Sequence, residues 1–135
     1  MRLSEAIRLG AMLRPQVSGS LFKDGGSCVL GAMLEATGTE YDEDFHLYTA
    51  ALYARWPWSK EKRFTCPECD WLDWQGNKHA HLESVLIHLN NSNFMDHRWT
   101  RERIADWVAT IEPTEAECAG EPVVAAVGLS SGKGG

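Results

Sequence analysis

The sequence has no long apolar run, no long basic run and no glycine-rich phosphate loop. No stretch approaches the roughly 20 apolar residues that a membrane-spanning helix needs. The first residues, which include Glu5 and Arg8, lack the pattern of a secretory signal. The 135 residues carry a formal net charge of -6, whereas nucleic-acid binding needs a concentrated Lys/Arg surface. These absences predict a cytoplasmic protein that binds no membrane, and they argue against nucleic acid as its partner.

Cysteine is also scarce, with four residues in the chain, Cys28, Cys66, Cys69 and Cys118. They do not form a convincing disulfide framework, which fits a reducing compartment. Cys66 and Cys69 stand two residues apart, in Cys-Pro-Glu-Cys, so that both sulfurs can reach one ion across a tight turn. A redox pair would need a βαβ context, which the sequence does not show.

A closed tetrahedral zinc site needs two further ligands beside the two sulfurs. Four histidines follow the cysteine pair, namely His79, His81, His88 and His97. His81 and His88 lie seven apart on one predicted helix, which separates them by roughly 10 Å along its axis. Two nitrogens on one ion lie only ~3–4 Å apart, so these two histidines do not share an ion on an unbroken helix.

The predicted zinc ligands are therefore Cys66, Cys69, His88 and His97, because the loop of residues 90–96 can fold back and bring His97 to the end of the helix. The alternative set pairs the two cysteines with His79 and His81. A closed ligand set leaves no position for water, so zinc would be structural. A further alternative is that these residues are ordinary thiols and histidines without a metal.

The hydrophobic pattern predicts a mainly α fold, a small orthogonal bundle of about five helices with an inserted zinc knuckle. Residues 1–111 are predicted to form one helical domain, with the zinc knuckle at residues 64–76. Residues 112–135 are predicted to be an acidic, Gly/Ser-rich and mobile tail. Ser4 and Ser27 are predicted to cap the first two helices, and Thr100 is predicted to cap the last. The second, at residues 28–37, is apolar all round and is predicted to be central. The other helices are predicted at residues 45–55, 79–89 and 99–111.

Two motifs resemble signatures of a known group. The run Ser27-Cys28-Val29-Leu30-Gly31-Ala32 resembles a Cys-Ala-Leu-Gly-Ala signature. The runs His88-Leu89-Asn90-Asn91 and His97-Arg98-Trp99-Thr100-Arg101 together resemble a His-Leu-Asn-Asp-x-His-x-Trp-Ser/Thr-Arg signature. Both look like small uncharacterised proteins of bacteria and their phages, a group without an assigned activity. The resemblance implies a phage or prophage origin and supports His88 and His97 as ligands. Asn91 departs from the signature, which has Asp there.

The most favoured function is a small zinc-containing binding or adaptor protein that acts through protein–protein contact. It would need an exposed aromatic patch, with Trp56, Trp58, Trp71 and Trp74 as the candidates.

Two alternatives remain. Gly-Ser-Cys before an apolar helix is similar to papain-like nucleophiles, so Cys28 could act in a thiol hydrolase with His46, His79 or His81 as the base. Cysteine is, however, among the most buried residues, which favours a core thiol and a protein that is not an enzyme. The third reading is nucleic-acid binding through the zinc knuckle and the face that carries Arg98, Arg101 and Arg103.

Overall fold

The computed structural model describes residues 1–39 and 45–114, and of residues 45–48 the backbone alone. The described chain is mainly helical, as predicted, with six helices and one small antiparallel sheet. The helices and strands are α1 (Leu3–Ala11), β1 (Phe22–Lys23), β2 (Gly26–Ser27), α2 (Val29–Ala36), α3 (Phe45–Arg55), α4 (Trp58–Glu61), α5 (Leu82–Asn90) and α6 (Arg101–Ile111). The orthogonal packing of the helices stays a prediction. In the described ranges no helix combines the length and the apolar character that crossing a bilayer requires.

The sixth helix is the single turn α4, which lies outside the five helices predicted from the sequence. Pro57 precedes it with φ -56°, a value that its ring fixes and that suits the start of a helix. The carbonyl of Trp56 accepts hydrogen bonds from the N–H and the hydroxyl of Ser59. Trp56 and Trp58 are only 5% and 8% exposed, so their prediction as part of an exposed aromatic patch was wrong.

The central position predicted for α2 is confirmed, because every residue from Val29 to Leu34 is buried. Two close approaches hold it in place. A Cβ added at Gly10 of α1 would lie 2.0 Å from the carbonyl oxygen of Ala32, and one added at Gly31 would lie 2.3 Å from that of Leu21. Side chains at these two positions would collide with backbone, which explains why glycine stands at both.

The predicted caps of α1 and α2 were displaced by one or more residues. The N-cap of α2 is Cys28 rather than Ser27, and its sulfur accepts the N–H of Gly31 at 3.5 Å. Helix α1 begins at Leu3, and the hydroxyl of Ser4 donates to Glu112 instead of capping. Both serine side chains are used in contacts with the C-terminal part of the domain, which a local pattern does not reveal.

Arg101 in α6 and Glu112 directly after it form hydrogen bonds with the backbone at the two ends of α1. The guanidinium of Arg101 donates to the carbonyl oxygens of Ala11 and Arg14, at 3.3 and 2.6 Å. The carboxylate of Glu112 accepts the backbone N–H of Ser4 at 3.1 Å. Glu112 also pairs with Arg2 at 2.7 Å. Glu112 was assigned to the tail by the sequence, yet it is buried against the first helix. The remainder of the predicted tail, residues 115–135 with Cys118, lies outside the described residues.

Candidate metal centre

The segment between α4 and α5 carries the two cysteines and is fixed at its start by an isolated antiparallel bridge. Phe64 and Ala80 exchange two backbone hydrogen bonds of 2.8 Å each. The chain then turns through Cys66 and Cys69, where the N–H of Glu68 donates to the sulfur of Cys66 at 3.4 Å. This turn directs both sulfurs towards α5.

The two histidines come from opposite sides of one loop. His88 lies in the last turn of α5 and is buried. After α5 the chain folds back, and the N–H groups of His97 and Trp99 donate to the carbonyls of His88 and Leu89 at 3.2 and 2.8 Å. The return of this loop places the imidazole of His97 beside that of His88, with ring centroids 4.6 Å apart.

The structure brings together the four residues that the sequence ranked first. Cys66, Cys69, His88 and His97 each offer one ligand atom, and these atoms all lie within 4.8 Å of one another. The two sulfurs are 3.7 Å apart. Nε2 of His97 lies 3.3 Å from each sulfur, and Nε2 of His88 lies 3.5 Å from the sulfur of Cys69.

These separations match those expected around one tetrahedral zinc ion. With Zn–S bonds of about 2.3 Å and Zn–N bonds of about 2.0–2.1 Å, tetrahedral geometry places two sulfurs about 3.8 Å apart. The same geometry places a sulfur and a nitrogen about 3.5 Å apart. These four observed distances agree within a few tenths of an ångström, so the cluster could hold a metal ion.

Carboxylates hold the far nitrogen of both histidines. Nδ1 of His88 lies 3.0 Å from Asp96, and Nδ1 of His97 lies 2.8 Å from Glu68. A hydrogen bond from Nδ1–H to a carboxylate leaves the Nε2 lone pair free for a metal and orients the ring. Trp71 stacks on His88 with centroids 4.3 Å apart. Sequence reasoning missed Glu68 and Asp96 in this role, although both stand next to a ligand in the chain.

The electrostatics of the cluster disfavour two free thiolates. Burial raises the pKa of the Cys66 thiol, and the neighbouring Cys69 raises it further. Burial also lowers the pKa of His88, against the opposing effect of Asp96. Two thiolates this close repel each other unless a positive charge lies between them, and a bound divalent ion deprotonates a coordinating thiol outright. The donor set is therefore suited to a metal rather than to two free thiolates.

His79 and His81 do not join the cluster. His79 is exposed and lines a different pocket. His81 is the N-cap residue of α5, and its Nδ1 lies 3.4 Å from the hydroxyl of Tyr53. The alternative ligand set with His79 and His81 is thus not the one that the structure assembles.

Cys28 lies apart from this cluster, within the core. It is 7% exposed, and burial raises the pKa of its thiol despite hydrogen bonds from the N-terminus of α2. Asn90 accepts the N–H of Val29 at 3.1 Å, so its amide serves as a second cap. His46 belongs to α3, but its side chain lies outside the described part of the structure. A reactive cysteine needs exposure and thiolate character, and burial disfavours both at Cys28.

Replacing Asp96 tests the hydrogen bond that orients His88. We expect Asp96→Asn to weaken zinc affinity by about 10- to 100-fold, the usual effect of losing such a carboxylate. Competition titration against a chromophoric zinc chelator measures this change. Asp70→Asn is the matched control. Asp70 follows Cys69 in the chain and pairs with Lys78 rather than with a histidine, so the variant removes one negative charge near the cluster without removing a hydrogen bond to an imidazole. Equal affinities of the two variants would contradict the assigned role of Asp96.

No family model, curated protein or solved structure matches the chain. The resemblance to small bacterial and phage proteins therefore stays a prediction, and the interpretation of the site depends on its own geometry.

Proposed function

We propose that the protein binds one structural zinc ion through Cys66, Cys69, His88 and His97, and that the ion supports a surface for a protein partner. The observation that carries this proposal is the pair of histidines whose Nε2 atoms face the two sulfurs while carboxylates hold their Nδ1 atoms. Four protein ligands complete a tetrahedron and leave no position for a water or a substrate. The ion would thus stabilise the fold rather than catalyse a reaction.

The ligand types favour zinc over other common ions. Calcium and magnesium take oxygen ligands, whereas this cluster offers two sulfurs and two nitrogens. Tetrahedral sets of two thiolates and two imidazoles are typical of zinc. Because the candidate ligands come from both sides of α5, the ion would join the zinc knuckle to the loop that follows the helix.

The candidate partner surface is carried by two segments that contact His88. One segment follows Trp71, which stacks on the imidazole, and the other precedes Asp96, which accepts its Nδ1–H. Their exposed apolar side chains include Trp74 at 88% and Phe94 at 97%. We call Leu72, Trp74, Phe94 and Met95 the metal-side apolar surface. Exposed large apolar residues of this kind are typical of protein-binding sites.

The nucleic-acid alternative receives less support from the arginine face. Arg101 is buried and donates to backbone carbonyls, and Arg103 lies over the ring of Trp99 at 3.8 Å. Arg103 also approaches Glu68 at 3.4 Å. Two of the three arginines are thus engaged within the protein, which leaves too few free cations for a phosphate-binding surface.

Elemental mass spectrometry on protein purified without a metal-affinity tag tests the proposed zinc site. We expect about one zinc per chain in the unaltered protein and in His79→Ala. We expect Cys66→Ser to lose zinc, because the remaining three ligands no longer close the site. Cobalt substitution should add the visible absorption of a tetrahedral, thiolate-ligated ion. Metal-free unaltered protein, or zinc retained by Cys66→Ser, would contradict the proposal, and zinc lost from His79→Ala would favour the alternative ligand set.

A further inference from the structure

A pocket of about 310 Å³ opens beside the zinc knuckle and contains none of the four proposed zinc ligands, Cys66, Cys69, His88 and His97. Its apolar wall comes from Trp107 and Ile111 of α6 and from Pro67, which stands between the two cysteines. Its polar side is formed by Arg63, Thr65 and His79. The volume is at the lower end of the range for small-molecule sites.

The bridge between Phe64 and Ala80 explains why the three polar residues lie together. Phe64 and Ala80 exchange both hydrogen bonds and are buried. Side chains alternate along extended chains, so the neighbours of this pair point to the opposite face. Thr65 follows Phe64 and His79 precedes Ala80, so these two residues flank the bridge on the same side, and both line the pocket. Arg63 precedes Phe64 and shares that outward face.

Arg63 is the cation of this pocket. Within the described ranges its guanidinium donates to the carbonyls of Lys60 and Lys62 alone, at 3.4 and 3.5 Å. Among the described residues no carboxylate forms an ion pair with it, whereas Arg14, for example, pairs with Glu35. The planar guanidinium of Arg63 can donate two parallel hydrogen bonds to a carboxylate, and no carboxylate of the described residues occupies that position.

We propose that this pocket binds a small organic acid, with its carboxylate on Arg63 and its apolar or aromatic body against Trp107 and Ile111. Arginine and carboxylate form paired, charge-assisted hydrogen bonds. Thr65 and His79 offer further hydrogen-bond donors at the mouth, and the indole of Trp107 offers a face for an aromatic ring. The same chemistry is carried by a free acid and by the C-terminal residue of a peptide.

The site does not require the ion as a ligand, so it goes beyond the structural role of zinc. Pro67 lies between Cys66 and Cys69, however, and its position in the wall depends on that turn. The binding experiment therefore uses full-length protein whose zinc content has been measured on the same sample. If the purified protein contains no metal but binds an acid, the zinc proposal alone is contradicted. If it contains zinc but binds no acid, the pocket proposal alone is contradicted.

The probes are two acids, phenylacetate and N-acetylphenylalanine, and their neutral analogues, phenylacetamide and N-acetylphenylalanine amide. Two-dimensional NMR of the backbone and indole N–H groups monitors their binding. We expect both acids to cause saturable shifts at Thr65, His79 and the Trp107 indole, and both amides to bind at least about 10-fold more weakly because they lack the charge. Tighter binding of phenylacetate would identify a free acid as the ligand class, and tighter binding of N-acetylphenylalanine a chain terminus.

Arg63→Gln should weaken binding of the acids by about 10-fold or more, the loss expected for a hydrogen bond to a charged group. Arg55→Gln is the matched control, because Arg55 is an exposed arginine outside the pocket lining. The proposal is overturned if neither acid gives saturable shifts at millimolar concentration, if the amides bind as tightly as the acids, or if Arg63→Gln binds them like the control.

Discussion

Removing zinc with a chelator should lower the midpoint of thermal unfolding by about 15 °C. A ligand present at 1,000 times its Kd stabilises the folded state by about 4 kcal/mol, and for a domain of this size each kcal/mol shifts the midpoint by about 4 °C. The proposed ligands lie before, within and after α5, so the proposed ion would hold together segments that are distant in the chain. Circular dichroism melts with excess zinc and with chelator measure the shift.

Removing zinc should also loosen the structure locally, around the proposed ligands. Between Cys66 and Leu82 the chain has one isolated bridge and neither a strand nor a helix, so this segment would depend most on the proposed ion. Hydrogen exchange should lose protection there and in the loop after α5 before it does in α1 and α2. Cys69→Ser should melt like the chelated protein and be insensitive to added zinc, whereas Asp70→Asn should retain the zinc-dependent shift. Coincident melts of the unaltered protein with zinc and with chelator would refute the structural role.

Arg101→Lys is expected to lower the free energy of unfolding by about 3 kcal/mol. The buried guanidinium donates to four acceptors, the carbonyls of Ala11, Arg14 and Ser27 and the hydroxyl of Ser27. An ammonium group is compact and cannot span the positions that a planar guanidinium reaches. Each buried carbonyl left without a donor costs about 1–3 kcal/mol.

Urea unfolding compares this variant with Arg55→Lys, the same change at an exposed arginine. The control should stay within about 0.5 kcal/mol of the unaltered protein, as surface substitutions usually do. If the two variants unfold at the same urea concentration, Arg101 is not the link between α1, β2 and α6 that its contacts indicate.

The parts of the fold that the sequence predicted are those with short-range physical causes. Thr100 was recognised as a helix cap from its neighbours, and its hydroxyl accepts the N–H of Arg103. The candidate ligands could be ranked because helix geometry alone separates His81 from His88. In both cases the relevant distance is set by a few residues of the same chain segment.

The features that the sequence did not predict depend on contacts between distant residues. The hydrogen bond from Ser4 to Glu112 spans 108 positions, and no local pattern marks either residue as a partner. The burial of Trp56 and Trp58 likewise depends on packing against other elements, such as the edge contact of Trp58 with Phe64. Local propensity is a weak prior that tertiary contacts override. The role of Glu68 and Asp96 could be recognised only from the three-dimensional positions of the two imidazoles.

The closure of α1 by Arg101 and Glu112 has a consequence for the order of events during synthesis. A nine-residue helix such as α1 is too short to be stable alone in water, and the side chains that complete its two ends are translated some 90 to 110 positions later. The residues from Cys66 to His97 leave the ribosome before either of them. The order of synthesis would therefore let the proposed ion bind before both ends of α1 are completed.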